Sequence, residues 1–119
     1  MTKGQPVQKI SLDAVAREQL AAARRSPAAR AASTVIGGHE RALRQTAVAL
    51  LADAVLAEHD NPGEATLYVI TGRVRLVAGP DSWEGRTSDL IEVPPTRHEL
   101  LALEDSVVLL TAVPRAHLQ

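Results

Sequence analysis

The chain has 119 residues, of which 45% are hydrophobic and 23% charged, with a formal net charge of -1; this is the composition of one globular domain with a core, not of a disordered chain. Basic and acidic residues interleave, the only aromatics are Tyr68 and Trp83, and cysteine is absent, which leaves no basic stripe or stacking platform for nucleic acid, no disulfide and no thiolate chemistry. The polar start, Met1 to Pro6, leads into no long apolar run, so neither a signal peptide nor a membrane span is expected and the cytoplasm is the default compartment.

Residues 1–10 read as a flexible leader. Ser11 is placed to cap a helix, with Asp13 in its first turn, and Leu12, Val15, Ala16, Leu20 and Ala23 recur at helical spacing up to Ser26-Pro27. The helix spans 11–26, and its apolar stripe needs a cover, either the rest of the domain or a second subunit. Glu40 to Glu58 is ambiguous: its Ala and Leu content favours helix, whereas Leu43, Gln45, Ala47 and Ala49 on one face and Arg44, Thr46, Val48 and Leu50 on the other describe a strand.

After the turn at Asn61-Pro62-Gly63, Leu67 and Val69 alternate with Tyr68 and Ile70, and beyond Thr71-Gly72 Val74 and Leu76 alternate with Arg73 and Arg75. The two runs are expected to form a hairpin with Gly72 at its turn. Gly79 to Gly85 reads as a loop, with Trp83 either covering an opening or anchoring the loop. Leu90, Ile91 and Val93 run into Pro94-Pro95, which must close a strand or lie at an edge. Val107 to Val113 has the length of a buried strand.

The segments His59-Asp60-Asn61-Pro62-Gly63-Glu64-Ala65-Thr66-Leu67-Tyr68-Val69-Ile70-Thr71-Gly72 and Pro94-Pro95-Thr96-Arg97-His98 resemble the two conserved motifs of the cupin superfamily. The longer pattern, from Ile36-Gly37-Gly38 through Leu43-Arg44-Gln45-Thr46 to His98-Glu99-Leu100 and Leu109-Leu110-Thr111, looks like a group of small bacterial cupin-domain proteins. The resemblance implies an all-β double-stranded β-helix, or small jelly-roll barrel, over 33–115, and strands rather than helix between Glu40 and Glu58.

The pattern departs from the superfamily's at several places. His59 holds the place of the first histidine, Asn61 that of the second, and Ala65 that of the glutamate, with Glu64 one residue away. His98 holds the place of the last histidine, Thr96 replaces a turn glycine, and Ser88 stands before Asp89 where a glycine is usual. A divalent metal commonly takes three or four N/O ligands. The candidate set is therefore His59, His98 and Glu64, with Gln45 and Asn61 lining the pocket, and the cofactor is a divalent metal (Zn, Fe, Mn or Ni) or none.

His39 and His117 read as loop or surface residues, Glu104-Asp105 as a solvated turn, and Gly37-Gly38 as a turn without the lysine of a phosphate cradle. Two functions follow from these residues. One is a non-catalytic small-molecule-binding or structural module with a degenerate metal site. The other is a metal-dependent small-molecule enzyme, such as an oxygenase or isomerase, using His59 and His98 as ligands. A homodimer with a small-molecule ligand in the barrel is expected, without nucleic-acid or membrane partners.

Overall fold

The computed structural model describes residues 7–38, 40–59 and 63–115, with Glu58 and His59 described in backbone alone. Most of the leader, His39, Asp60, Asn61, Pro62 and His117 lie outside the described residues. Helix α1 (Leu12–Arg25) begins where the Ser11 hydroxyl accepts the Ala14 N–H, carries Asp13 in its first turn and Arg24 and Arg25 in its last, and ends at Ser26. The caps and charges thus complement the helix dipole at both ends. Ala29, at φ 58, turns the chain into the first strand.

Nine strands follow among the described residues: β1 (Arg30–Ile36), β2 (Arg44–Leu50), β3 (Val55–His59), β4 (Gly63–Thr71), β5 (Arg73–Ala78), β6 (Asp81–Arg86), β7 (Leu90–Glu92), β8 (His98–Ala102) and β9 (Ser106–Pro114). They form two antiparallel sheets, a five-stranded one in the order β1-β2-β9-β4-β7 and a four-stranded one in the order β3-β8-β5-β6. Val48, Leu50, Leu67, Val69 and Val108 from the first sheet meet Val74, Leu76, Leu100 and Ala102 from the second in one buried cluster. This is the all-β jelly roll with a short N-terminal helix.

A second cluster lies on the outer face of the larger sheet, where Ala16, Leu20 and Ala23 of α1 pack on Ala49, Val107, Ala31 and Ile70. The helix stripe is therefore covered by its own chain, and the motive it offered for a second subunit is gone. This cover also explains why β2 is a strand in spite of its helical propensity. With a core on one side and α1 on the other, Ala47 to Leu50 are all buried, and so are Ser106 to Leu109 of β9 beside them. A central strand buried on both faces reads as a continuous apolar run, and the alanines let the helix come close.

The expected hairpin around Gly72 does not form. Strand β4 pairs with β7 and β9, whereas β5 pairs with β6 and β8, so the chain crosses between sheets at Gly72. The actual hairpin is β5–β6, and Gly79 to Gly85, expected as a loop, is mostly strand. Its turn is two residues long, with Ala78 opposite Asp81 and Gly79 at φ 58, the positive φ that two-residue hairpin turns favour. Glu84 and Arg75, directly opposite each other, form an ion pair of 2.8 Å across it. β7 is the edge strand that Pro94-Pro95 requires.

Candidate functional site

The two sheets part at one end of the barrel. β2 starts there with Arg44, β3 ends there with His59, β4 starts there with Gly63, and β8 starts there with His98. Strands β3 and β8 bring His59 and His98 into direct register. The ladder slips by one residue between Leu56, opposite Leu100, and His59, opposite His98, so β3 carries a bulge of the kind that re-aims strand residues near sites.

His98 shares its face with Leu100 and Ala102, both in the inter-sheet core, and is 6% exposed. Its Nδ1 lies 2.9 Å from the Thr96 carbonyl oxygen. A carbonyl only accepts, so Nδ1 carries the proton, and in the neutral ring Nε2 keeps the lone pair needed to bind a metal or a donor.

The carboxylate offered as a third ligand stands elsewhere. Ala65 packs against the inner cluster, and Glu64, the next residue on the pleat, is exposed in register with Val113, on the outer face. Gln45 pairs with Thr111 and shares its face with Ala47 and Ala49; Ala49 lies under the helix, so Gln45 is also on the outer face, where its side-chain N–H donates to the Thr111 hydroxyl at 3.0 Å. Neither residue joins His98 inside the barrel, and Asn61 lies outside the described residues. Among the described residues no three His, Asp or Glu side chains form a group able to hold a metal ion.

A cleft of about 990 Å³ opens between the sheets on the β6–β7 side, lined by Ala65, Ile91, Val93 and Pro94 and, on its rim, by Glu64 and Trp83. Trp83 lies opposite the buried Leu76 on β6, so it belongs to the inner face, yet it is 42% exposed. Of the two readings of Trp83, the structure favours the cover over an opening. The sequence reading assigned no role to Arg44. The signal was available, since Val48 and Leu50 point into the core and the same alternation turns Thr46 and Arg44 inward. Glu104 and Asp105 serve the turn before β9: Asp105 accepts the Ala52 N–H at 2.9 Å and pairs with Arg24 at 3.5 Å, and Glu104 pairs with Arg73 at 3.7 Å.

No family profile and no curated protein sequence matches the chain. Solved structures do. A conserved protein of unknown function from Streptococcus pyogenes is 21% identical, with a TM-score of 0.64 over 71% of this chain and 74% of that one. A cupin superfamily protein from Desulfitobacterium hafniense is 9% identical, with a TM-score of 0.65 over 71% of this chain and 77% of its own. Salicylate 1,2-dioxygenase from Pseudoaminobacter salicylatoxidans, solved with gentisate, is 19% identical, with a TM-score of 0.69; the match covers 86% of this chain and 31% of the dioxygenase. The fold is that of the cupin superfamily. Among the described residues no helix is long and apolar enough to cross a membrane.

Proposed function

We propose that this cupin-fold chain is a small-molecule-binding module whose ligand occupies the space between the two sheets and whose metal centre is degenerate. The observation that carries this reading is the inner face at the open end, where Ala65 stands in the cleft wall and Glu64, the next residue on the pleat, is turned out to the rim. A metal held there would have His59 and His98 as protein ligands and water for the rest. Two donors fall short of the three or four that divalent ions commonly take.

A second reading, a metal-dependent small-molecule enzyme, draws on the direct register of His59 with His98. Metal analysis of protein purified without an affinity tag separates the two. A stoichiometric, tightly held ion lost in His98→Ala supports the enzyme, and substoichiometric metal together with saturable ligand binding at the Trp83 cleft supports the module.

With the helix stripe covered, a homodimer would have to use other apolar surface. Val55, 39% exposed, begins β3, the edge strand of the smaller sheet, and we propose this edge as the contact. Sedimentation should show a dimer at micromolar concentration that Val55→Asp converts to monomer; a monomeric parent protein removes the idea.

A further inference from the structure

The inner face of β2 ends at the barrel mouth in the guanidinium of Arg44, for which the described residues supply no carboxylate partner. Arg44 shares its face with Thr46, Val48 and Leu50, and the last two lie in the inter-sheet core. Its Nε is buried and has no hydrogen-bond partner, and among the described residues no carboxylate pairs with it. A buried N–H on a cation is costly to leave unpaired, so the position calls for an acceptor that the described part of the chain does not supply.

The space beside it has the form of a small site. A cavity of about 240 Å³ is lined by Arg44, Thr34, Thr46, Gly37 and Gly38. Thr34 and Thr46 are register partners on β1 and β2 and bring two hydroxyl groups to it. Glu40 rests its carboxylate against Gly38, not on Arg44. Across the sheet, Arg44 pairs with Ala112, and Ala112 with Ala65. The row from the guanidinium to the Trp83 cleft therefore carries only two methyl groups, over about 10 Å of two strand spacings.

We propose that Arg44 is the anion-recognition residue of the barrel, binding the carboxylate of a small organic acid whose carbon body extends over Ala112 and Ala65 toward Trp83. This assignment rests on the reading of the inter-sheet space as a small-molecule site and adds the class of ligand. The Nε and Nη protons form a planar fork that matches the two oxygens of a carboxylate. Ala65, Ile91 and Val93 give the cleft an apolar stretch of wall that suits a carbon skeleton, while Glu64, Glu84 and Glu92 in the same lining oppose a second negative charge there, so the ligand carries its carboxylate at the Arg44 end.

The test is a titration of the full chain in chelator, at constant ionic strength, with benzoate, benzamide and inorganic phosphate, read at the Trp83 indole N–H and the Arg44 Nε–H resonances. Saturable benzoate binding is expected, weaker by about tenfold or more in Arg44→Lys and in Arg44→Met, with unsaturated responses to phosphate. Arg44→Lys keeps the charge and much of the stem, so it separates loss of the fork from loss of the fold, which melting curves of both variants check. If benzamide binds as well as benzoate, or if both Arg44 variants bind benzoate unchanged, the cleft remains a site and the role of Arg44 is overturned. If phosphate saturates in place of benzoate, the ligand class is overturned. If no titrant shifts either resonance, the small-molecule reading fails with it.

Discussion

His59 and His98 stand directly opposite each other on β3 and β8, and it is the one-residue bulge in β3 that puts His59 there. In an unbroken ladder continuing from Leu56 and Leu100, the residue facing His98 would be Glu58.

On the proposed reading two histidines make an incomplete divalent site, and Ala65 marks where a third ligand would be added. Ala65→Glu sets a carboxylate on the inner face of β4, and zinc affinity measured by calorimetry should rise by about tenfold or more, the scale on which even outer-shell partners of a metal act. Glu64→Gln changes a side chain on the outer face and should leave zinc binding as it was, whereas His98→Ala should remove it. A loss of zinc binding in Glu64→Gln, or no gain in Ala65→Glu, would show that the carboxylate ligand has been placed on the wrong face.

Alternation makes β4 from Leu67 and β5 legible, and helical spacing does the same for the helix capped by Ser11, because one face of each meets the core; β6, in which only Gly85 is buried, reads as a loop. Alternation fails where that premise fails. β2 is buried on both sides, and the turn after it has no glycine or proline; Asp53, at φ 72, makes it, with its N–H donated to the Ala102 carbonyl at 2.9 Å. The side chains of the candidate site are legible in the sequence as a list of chemistries but not as a set of faces. Glu64 and Gln45 lie on the outside and Arg44 on the inside because the pleat, not the residue type, decides. The pairing of β4 and β5 was misread because two runs joined at one glycine look alike whether the chain turns back or crosses to another sheet.

Ser88 occupies φ 75, a left-handed conformation that costs an ordinary residue about 1–2 kcal/mol. The turn is held by the Ser88 N–H on the Val69 carbonyl at 2.7 Å and by the Arg86 N–H on Asp89 Oδ2 at 2.8 Å, neither of which needs the serine side chain. Ser88→Gly should therefore stabilise the protein by about 0.5–1 kcal/mol after the added unfolded-state entropy is counted, a rise of a few degrees in melting temperature. A lower melting temperature would mean that the serine hydroxyl matters more than the backbone.

The hydrogen bond from Arg75 holds the Glu84 carboxyl below the ordinary carboxylate range, the charges of Arg75, Arg73 and Arg86 add to this, and partial loss of hydration opposes it. A carboxyl whose pKa is depressed by folding stabilises the native state above its unfolded pKa, and that contribution is lost as pH falls through the folded value. Glu84→Gln should accordingly lower the melting temperature slightly at neutral pH, and the difference from the parent should close as pH falls below about 4. A difference that persists at pH 2–3, judged against that same range, would assign the effect to packing in the β5–β6 hairpin.

Gly72 is the corner at which the chain leaves one sheet for the other, and the crowding around it distinguishes a corner from a hairpin turn. Its φ is +99, and a Cβ added there would run into Ser106 Oγ, 2.5 Å from the Asp105 carbonyl oxygen and 2.7 Å from Ser106 Cα. The surroundings cannot give way easily: Ser106 is buried, its Oγ accepts the Arg73 N–H at 2.9 Å, and the Gly72 N–H is donated to the Thr87 hydroxyl at 3.1 Å. Gly72→Ala should destabilise by about 2–5 kcal/mol, the sum of backbone strain and overpacking. At an open hairpin turn asparagine would be tolerated, since it adopts left-handed conformations readily; at this corner Gly72→Asn should be at least as damaging as alanine. Ser106→Ala in the Gly72→Ala background removes only the hydroxyl, so the clash with the Asp105 carbonyl remains and little stability should return. Denaturant melts showing Gly72→Asn close to the parent protein would mean that the corner is open and that the crossing between sheets is not what fixes glycine here.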